Sequence, residues 1–143
     1  MANKLTLTKS ISIHASKSKV WDALTKPELI KKYFFGTETI TDWKVGSPIL
    51  YRGEWEGKTY EDKGTVLAIE KEKLIKYSYW SSFSDKPDAP ENYSNVTYTL
   101  KEGNGETIFT VVQEGIDDEE KLKHSEENWG VVMQGMKKML EEK

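Results

Sequence analysis

The 143-residue sequence has no cysteine and only one arginine. The absence of cysteine excludes disulfides, thiol catalysis and cysteine-based zinc sites. Base recognition and phosphate binding rely heavily on arginine. With only Arg52, dispersed lysines and a formal net charge of -3, the chain is not expected to bind nucleic acid or an anionic membrane.

Long apolar runs are also missing. No run approaches the roughly 20 residues that a membrane-spanning helix requires. The first residues alternate between apolar and polar types and form no signal-peptide core, so the expected location is the cytoplasm. Aromatic residues, by contrast, are plentiful, with 5 Trp, 7 Tyr and 4 Phe. Length and composition together favour one domain over residues 1–143.

The hydrophobic period changes along the chain, and the changes predict the order of elements. Residues 5–13 alternate as a half-buried strand. Residues 16–34 indicate two short helices, the first capped by Ser16 or Ser18 and the second starting at Pro27. Further strands are predicted near 36–41, 47–55, 58–70, 73–82, 93–102 and 105–114. The rest of the chain is predicted to form one long amphipathic helix.

Turn signals separate the predicted strands. Glu56-Gly57 is predicted to form a tight turn, and Asn104-Gly105 is a strong hairpin signal. Segment 83–93 carries two prolines and three carboxylates, so it is predicted to be the longest loop.

This order of elements predicts an α+β fold. Consecutive hairpin-linked strands imply an antiparallel sheet of about six or seven strands, and such a sheet curls. One long helix covers one face of it and leaves a gap that side chains fill incompletely. We therefore predict a pocket between the C-terminal helix and the curved sheet.

Two sets of side chains are expected to face that gap. The helix stripe consists of Leu122, Trp129, Val132, Met133, Met136, Met139 and Leu140. The inward strand positions include Ile75, Tyr77, Tyr79, Val96, Tyr98, Leu100, Phe109 and Val111. Because a buried hydroxyl needs a partner, the tyrosines indicate either polar points in an apolar cavity or hydroxyls that reach solvent at the sheet edge. The predicted ligand-lining residues are Trp129, Met133, Met136, Tyr77, Tyr98 and Phe109.

The titratable residues are weaker candidates. His124, in the last helix, suits a general base or a pH switch, but it equally suits a partly exposed helix position. His14 is expected at the surface. The acidic run 117–120 lacks the spacing of a calcium loop and fits a helix N-terminus. Arg52 is expected to face solvent beside a glutamate, whereas an inward Arg52 would anchor a ligand carboxylate. No metal, cofactor or catalytic residue is predicted.

A series of short motifs runs in order through nearly the whole chain. They are Ile13-x-Ala15, Val20-Trp21-x-Ala23-Leu24-Thr25, Pro27-Glu28, Trp43-x-Val45-Gly46, Gly64-x-Val66, Leu74-x-x-Tyr77 with Trp80, and Asn128-Trp129. Together they resemble the proteins similar to the activator of the heat-shock protein ninety ATPase (AHSA-like), within the START-like (SRPBCC, Bet v-like) superfamily. The resemblance implies the helix-grip fold with a deep cavity between the last helix and the sheet. Related members bind lipids, sterols, polyketides or other apolar molecules there.

Two positions depart from the usual pattern of that family. Tyr33 stands where members often carry tryptophan, and Gln113 follows Thr110-Val111 where members often have histidine. These departures argue against transferring polar site residues from the family to this chain.

Three functions follow as expectations. The first is non-catalytic binding of a small hydrophobic or aromatic ligand, either lipid-like or polyketide- and flavonoid-like, in the predicted cavity. The second, which the resemblance alone suggests, is a stress-response or chaperone-associated interaction domain. The third is an enzyme that uses His124 and a nearby carboxylate on a small apolar substrate. The chain is expected to be a monomer, because no second apolar helix face is evident.

Overall fold

Seven strands and three helices form the part of the chain that the computed structural model describes, namely residues 4–34, 36–55, 57–81, 87–89 and 92–141. In chain order they are β1 (Leu5–Ile13), α1 (Lys17–Thr25), α2 (Pro27–Tyr33), β2 (Glu38–Ile40), β3 (Pro48–Trp55), β4 (Lys58–Glu70), β5 (Leu74–Tyr79), β6 (Ser94–Gly103), β7 (Glu106–Ile116) and α3 (Glu119–Glu141). The predicted α+β layout is confirmed.

The strands form one antiparallel sheet in the order β1-β7-β6-β5-β4-β3-β2. Neighbours from β2 to β7 are sequential hairpins, as the run of alternating segments predicted. The exception is β1, which pairs with the last strand, so that Ser10 lies opposite Thr110. The chain passes through α1 and α2 between β1 and β2, and these two strands lie at opposite edges of the sheet.

Local sequence explains where the two short helices begin. The Ser16 hydroxyl accepts a hydrogen bond from the backbone N–H of Lys19, so Ser16 and not Ser18 caps α1. Pro27 occupies the first turn of α2, where its missing N–H leaves no hydrogen bond unmade. Both predicted helix starts therefore agree with the structure.

The hairpin between β6 and β7 turns as predicted. Asn104 and Gly105 have φ values of 53° and 78°, which is the conformation of a type I′ turn. In the hairpin between β3 and β4, Gly57 has a φ of 81°, whereas Glu56 lies outside the described residues. Most of the predicted loop 83–93 also lies outside them.

The long helix α3 packs mainly along β1 and also contacts β7, α1 and α2. Its buried residues are Trp129, Val132, Met133 and Met136, which is the stripe that the helical period predicts. Leu122, Met139 and Leu140 are partly buried against the same core. The Lys137 ammonium donates to the backbone carbonyl of Ser12 over 2.8 Å, which holds the end of β1 to the helix. Within the described part of the chain, no helix has the length and hydropathy of a membrane span.

Gly130 gives a first test of how α3 packs. A Cβ at this position would lie 3.6 Å from Cε of Lys9, which is ordinary van der Waals contact. Because glycine in a helix interior is less stable than alanine, we expect Gly130→Ala to raise the free energy of unfolding by about 0.5–1 kcal/mol in urea denaturation. Gly135→Ala should gain less, since its Cβ would press on Cβ of Tyr33 at 3.4 Å. A loss of stability in Gly130→Ala would contradict this packing.

Candidate ligand-binding site

The six predicted ligand-lining residues lie together in the interior, and none is more than 9% exposed. Tyr98 is at the centre of this cluster. Its ring centroid lies 5.4 Å from that of Tyr77, 5.2 Å from that of Phe109 and 5.8 Å from that of Trp129, all in edge-to-face arrangements. Met133 and Met136 belong to the same core. The helix residues and the strand residues thus meet in one place, because side chains alternate along β5, β6 and β7 and repeat at helical spacing along α3.

The tyrosine hydroxyls in this cluster are hydrogen-bonded inside the protein. The hydroxyl oxygens of Tyr77 and Tyr98 are 2.7 Å apart, and the hydroxyl of Tyr51 lies beside that of Tyr77. The Trp129 Nε1–H donates to Oε1 of Gln113 over 2.9 Å. Of the two alternatives for the tyrosines, the structure therefore favours polar points within an apolar interior.

A buried carboxylate, that of Asp62, lies among these tyrosines and was not predicted from the sequence. Asp62 is 6% exposed, lies opposite Tyr51 between β3 and β4, and accepts a hydrogen bond from the Tyr79 hydroxyl over 2.6 Å. The alternation of β4 could have identified it, because Asp62 lies on the same face of this strand as Gly64 and Val66, which are both buried.

Burial raises the pKa of five tyrosines above the ordinary value of 10.0, because the charged phenolate loses its hydration. They are Tyr33, Tyr51, Tyr77, Tyr79 and Tyr98. For Tyr79, the neighbouring charge of Asp62 acts in the same direction. These hydroxyls therefore stay protonated, and able to donate, well into the alkaline range.

These pKa values predict a steep loss of stability in alkali. Below pH 10 the tyrosines are protonated in both the folded and the unfolded chain. Above pH 10 the unfolded chain releases protons that the buried tyrosines retain, so the free energy of unfolding falls, by up to about 1.4 kcal/mol per pH unit for each of Tyr33, Tyr77 and Tyr98. In an alkaline titration, their tyrosinate absorbance should appear together with the loss of circular dichroism. Full ionisation while the chain is still folded would contradict the burial.

Little empty space remains in this interior. A cavity of about 20 Å³ is lined by Leu24, Ile30, Tyr33, Phe34, Thr39, Trp43, Tyr51 and Tyr98. That volume accommodates about one water molecule. Of the six predicted residues, only Tyr98 lines it. Among the residues that the structure describes, the aromatic rings of the cluster occupy the place where the resemblance implies a deep cavity.

One polar group at this cavity has no hydrogen-bond partner among the described residues. It is the hydroxyl of Thr39, a residue that is 2% exposed. A buried hydroxyl without a partner destabilises a fold by about 1–3 kcal/mol. The sequence analysis missed Thr39 because β2 is only three residues long, from Glu38 to Ile40, and three residues give no clear alternation.

Two of the aromatic side chains that line the cavity, Phe34 and Trp43, are half-buried and lie outside the strands. Phe34 follows the end of α2, and its ring lies 6.1 Å from that of Trp129. Trp43 donates its Nε1–H to the backbone carbonyl of Thr25 over 2.8 Å, and its φ of 59° is unusual for a residue other than glycine. Phe34 and Trp43 thus line the cavity and are also partly exposed to solvent.

A larger space lies between β1 and α3 and opens to solvent. This outer groove has a volume of about 640 Å³ and is lined by Lys9, Ser10, Ile11, Glu127, Gly130, Val131, Met133 and Gln134. Val131 is 59% exposed there. Of the six predicted residues, only Met133 lines the groove.

The polar candidates of the sequence analysis all lie outside the interior. His124 is exposed on α3, and the exposed His14 has its Nε2 2.6 Å from Oε1 of Glu106. Arg52 faces solvent with its Nε 2.7 Å from Oε2 of Glu61, which confirms the predicted exposed position beside a glutamate. Asp118 accepts a hydrogen bond from the backbone N–H of Lys121, so the acidic run does begin a helix. No cluster suited to a metal ion occurs among the residues that the structure describes.

The curved antiparallel sheet, the two short helices after its first strand and the long C-terminal helix define a helix-grip domain. A sequence profile of one helix-grip family, described as activator of Hsp90 ATPase homolog 1-like protein, matches residues 14–141. The chain belongs to this family. Comparison with curated proteins gave no match.

Solved structures agree with this assignment. ChR145 from Cytophaga hutchinsonii is 45% identical with a TM-score of 0.85, over 99% of this chain and 97% of that chain. The Aha1 dimer from Colwellia psychrerythraea is 19% identical with a TM-score of 0.76, over 96% of both chains. CalU16 from Micromonospora echinospora is 17% identical with a TM-score of 0.74, over 99% of this chain and 84% of that chain. The latter two show similarity of fold alone.

Proposed function

We propose that this domain binds a small apolar or aromatic molecule beneath α3 and performs no chemistry on it. The observation that carries the proposal is the buried hydroxyl of Thr39, without a partner at the edge of a cluster of tyrosines. A core selected for stability alone would favour phenylalanine at Tyr77 and Tyr98, since a buried hydroxyl must find a partner. Hydroxyls grouped around a cavity suit recognition of a ligand better than they suit packing.

Binding requires the interior to open, because about 20 Å³ is too small for any organic molecule. Phe34 and Trp43 are the side chains that would move, since both are half-buried and line the cavity. Met133 and Met136 would adapt to the new occupant, because methionine is unbranched and flexible. The ligand would then select an open conformation that is rare in the free protein.

An NMR titration tests the proposal. We expect some members of a panel of fatty acids and flavonoid-like aromatics to shift the resonances of Trp129, Met136 and Tyr98. Val131, in the outer groove, serves as the control position within the same spectra. If no compound moves the interior resonances at millimolar concentration, the proposal fails.

The geometry gives no support to an enzyme centred on His124. This residue is exposed and lines neither the cavity nor the outer groove. An activity that His124→Ala abolished in a still folded protein would overturn this conclusion.

The family match favours a second function, as a chaperone-associated domain in the stress response. The matching family is described as similar to an activator of the Hsp90 ATPase, and one structural relative is an Aha1 dimer. Measuring the ATPase rate of Hsp90 with and without the chain separates the two functions. Stimulation of that rate would favour this one, and an unchanged rate would count against it. A monomeric state remains a prediction.

A further inference from the structure

The cavity beside Thr39 has a polar side formed by neighbouring strands. Thr39 and Tyr51 are directly paired between β2 and β3, so their side chains share one face with Cβ atoms about 5 Å apart. Both residues line the cavity, and Tyr98 lines it as well. The lining also includes the apolar side chains of Leu24 and Ile30.

The other polar side-chain groups that line this cavity are already paired. The Tyr33 hydroxyl donates to the backbone carbonyl of Ala23 over 2.6 Å, and the Trp43 Nε1–H donates to that of Thr25. The hydroxyl of Tyr98 is bonded to that of Tyr77, and the hydroxyl of Tyr51 lies beside that of Tyr77. Among the described residues that line the cavity, Thr39 alone has a hydroxyl without a partner, and it can donate one hydrogen bond and accept two.

The size of the cavity limits what can sit beside Thr39. A volume of about 20 Å³ holds one water molecule or one oxygen atom of a larger molecule, but no ring. The group that satisfies Thr39 must therefore be small and polar, and the rest of any ligand needs space that opens when Phe34 and Trp43 move.

The aromatic walls on that side favour a flat molecule. The rings of Phe34 and Tyr51 are nearly parallel, with an interplanar angle of 16° and centroids 6.5 Å apart. When Phe34 moves aside, the face of the Tyr51 ring becomes available, and planar aromatic systems pack favourably in offset stacks against such a face. A flexible acyl chain would gain less from them, since it has no face to stack.

We propose that the cavity beside Thr39 is a polar subsite that takes the hydroxyl or carbonyl oxygen of a planar aromatic ligand. This inference rests on the proposed function and narrows it from apolar molecules in general to aromatics that carry an oxygen substituent. Thr39 is then the residue that determines specificity, because within the bound ligand only such an oxygen can hydrogen-bond to its hydroxyl.

A pair of probes and a pair of variants test the subsite. Naphthalene and naphthol differ by one hydroxyl group, and both are titrated by NMR into the wild type, Thr39→Val and Thr39→Ser. We expect the wild type to bind naphthol about tenfold more tightly than naphthalene, the size of effect that one buried hydrogen bond produces. Thr39→Val should bind the two equally, whereas Thr39→Ser should retain the preference because it keeps the hydroxyl. Urea denaturation verifies that both variants fold.

The outcomes distinguish the two proposals. Equal affinity of the wild type for both probes, or a preference that survives in Thr39→Val, overturns the subsite and leaves ligand binding in place. Loss of the preference in Thr39→Ser as well would also count against a role for the hydroxyl. If neither probe shifts the interior resonances of the wild type, the subsite fails. The proposed function fails with it only if the fatty acids and flavonoid-like aromatics also leave these resonances unchanged.

Discussion

Replacing Phe109 by alanine should lower the free energy of unfolding by about 4 kcal/mol, the middle of the range for a fully buried phenylalanine. Phe109 is 0% exposed and lies opposite Ile11 on one side and Leu100 on the other. Its ring contacts that of Tyr98 with centroids 5.2 Å apart. Removal of the ring leaves a hole in the centre of the sheet, and the flanking strands restrict any collapse into it. Urea denaturation at neutral pH measures the loss.

Ile108 provides the matched control for this substitution. It precedes Phe109 on β7, but it faces outward and is 43% exposed. Because surface substitutions usually change stability by about 0.5 kcal/mol or less, Ile108→Ala should have a small effect. Similar losses in the two variants would mean that the register of β7 against its neighbours is wrong, since a shift of one residue exchanges the two faces.

Gly64→Ala should lower the free energy of unfolding nearly as much as Phe109→Ala, for a steric reason. A Cβ on Gly64 would lie 1.8 Å from the backbone carbonyl oxygen of Ser78, so β4 and β5 would have to separate. Overpacking of this kind destabilises by roughly 1–3 kcal/mol or more, and we expect about 3 kcal/mol because the clash is with backbone. The approach is close because Lys63 forms a β-bridge with Trp80. This requirement explains the Gly64-x-Val66 motif.

Gly103→Ala is the control for Gly64→Ala. Gly103 also lies in a strand, but no atom would come within 4 Å of an added Cβ. Its stability should stay within about 0.5 kcal/mol of the wild type in the same denaturation experiment. A small loss in Gly64→Ala would contradict the close approach of the two strands.

Elements with a long, regular period could be predicted from the sequence. The first strand was predicted over 5–13 and is found at Leu5–Ile13, because four apolar residues alternate there with polar ones. The stripe of α3 was predicted for the same reason, over several helical turns. Short elements show too few repeats of a period for such a prediction. The burial of Thr39 was therefore not predicted, because β2 is only three residues long.

The contents of the interior could not be predicted, because periodicity shows which side chains face inward and not how completely they fill the space. Tyr77, Tyr98 and Phe109 were correctly placed inward, yet their rings meet edge to face, and the cavity that Tyr98 lines has a volume of about 20 Å³. The burial of Asp62 was not predicted, because the alternation of β4 was not applied to its polar residues. The partner of the Trp129 Nε1–H is Gln113, which occupies the position where the family often has histidine.

The central claim is that a ligand enters the interior beneath α3. The most direct test is to measure nuclear Overhauser effects between bound naphthol and the methyl groups of the protein. We expect contacts to the methyl group of Met136, which is 0% exposed, so that a ligand reaches it only if the interior opens. Contacts confined to Val131 and Ile11, which line the outer groove, would show that the ligand binds on the surface and would contradict the account.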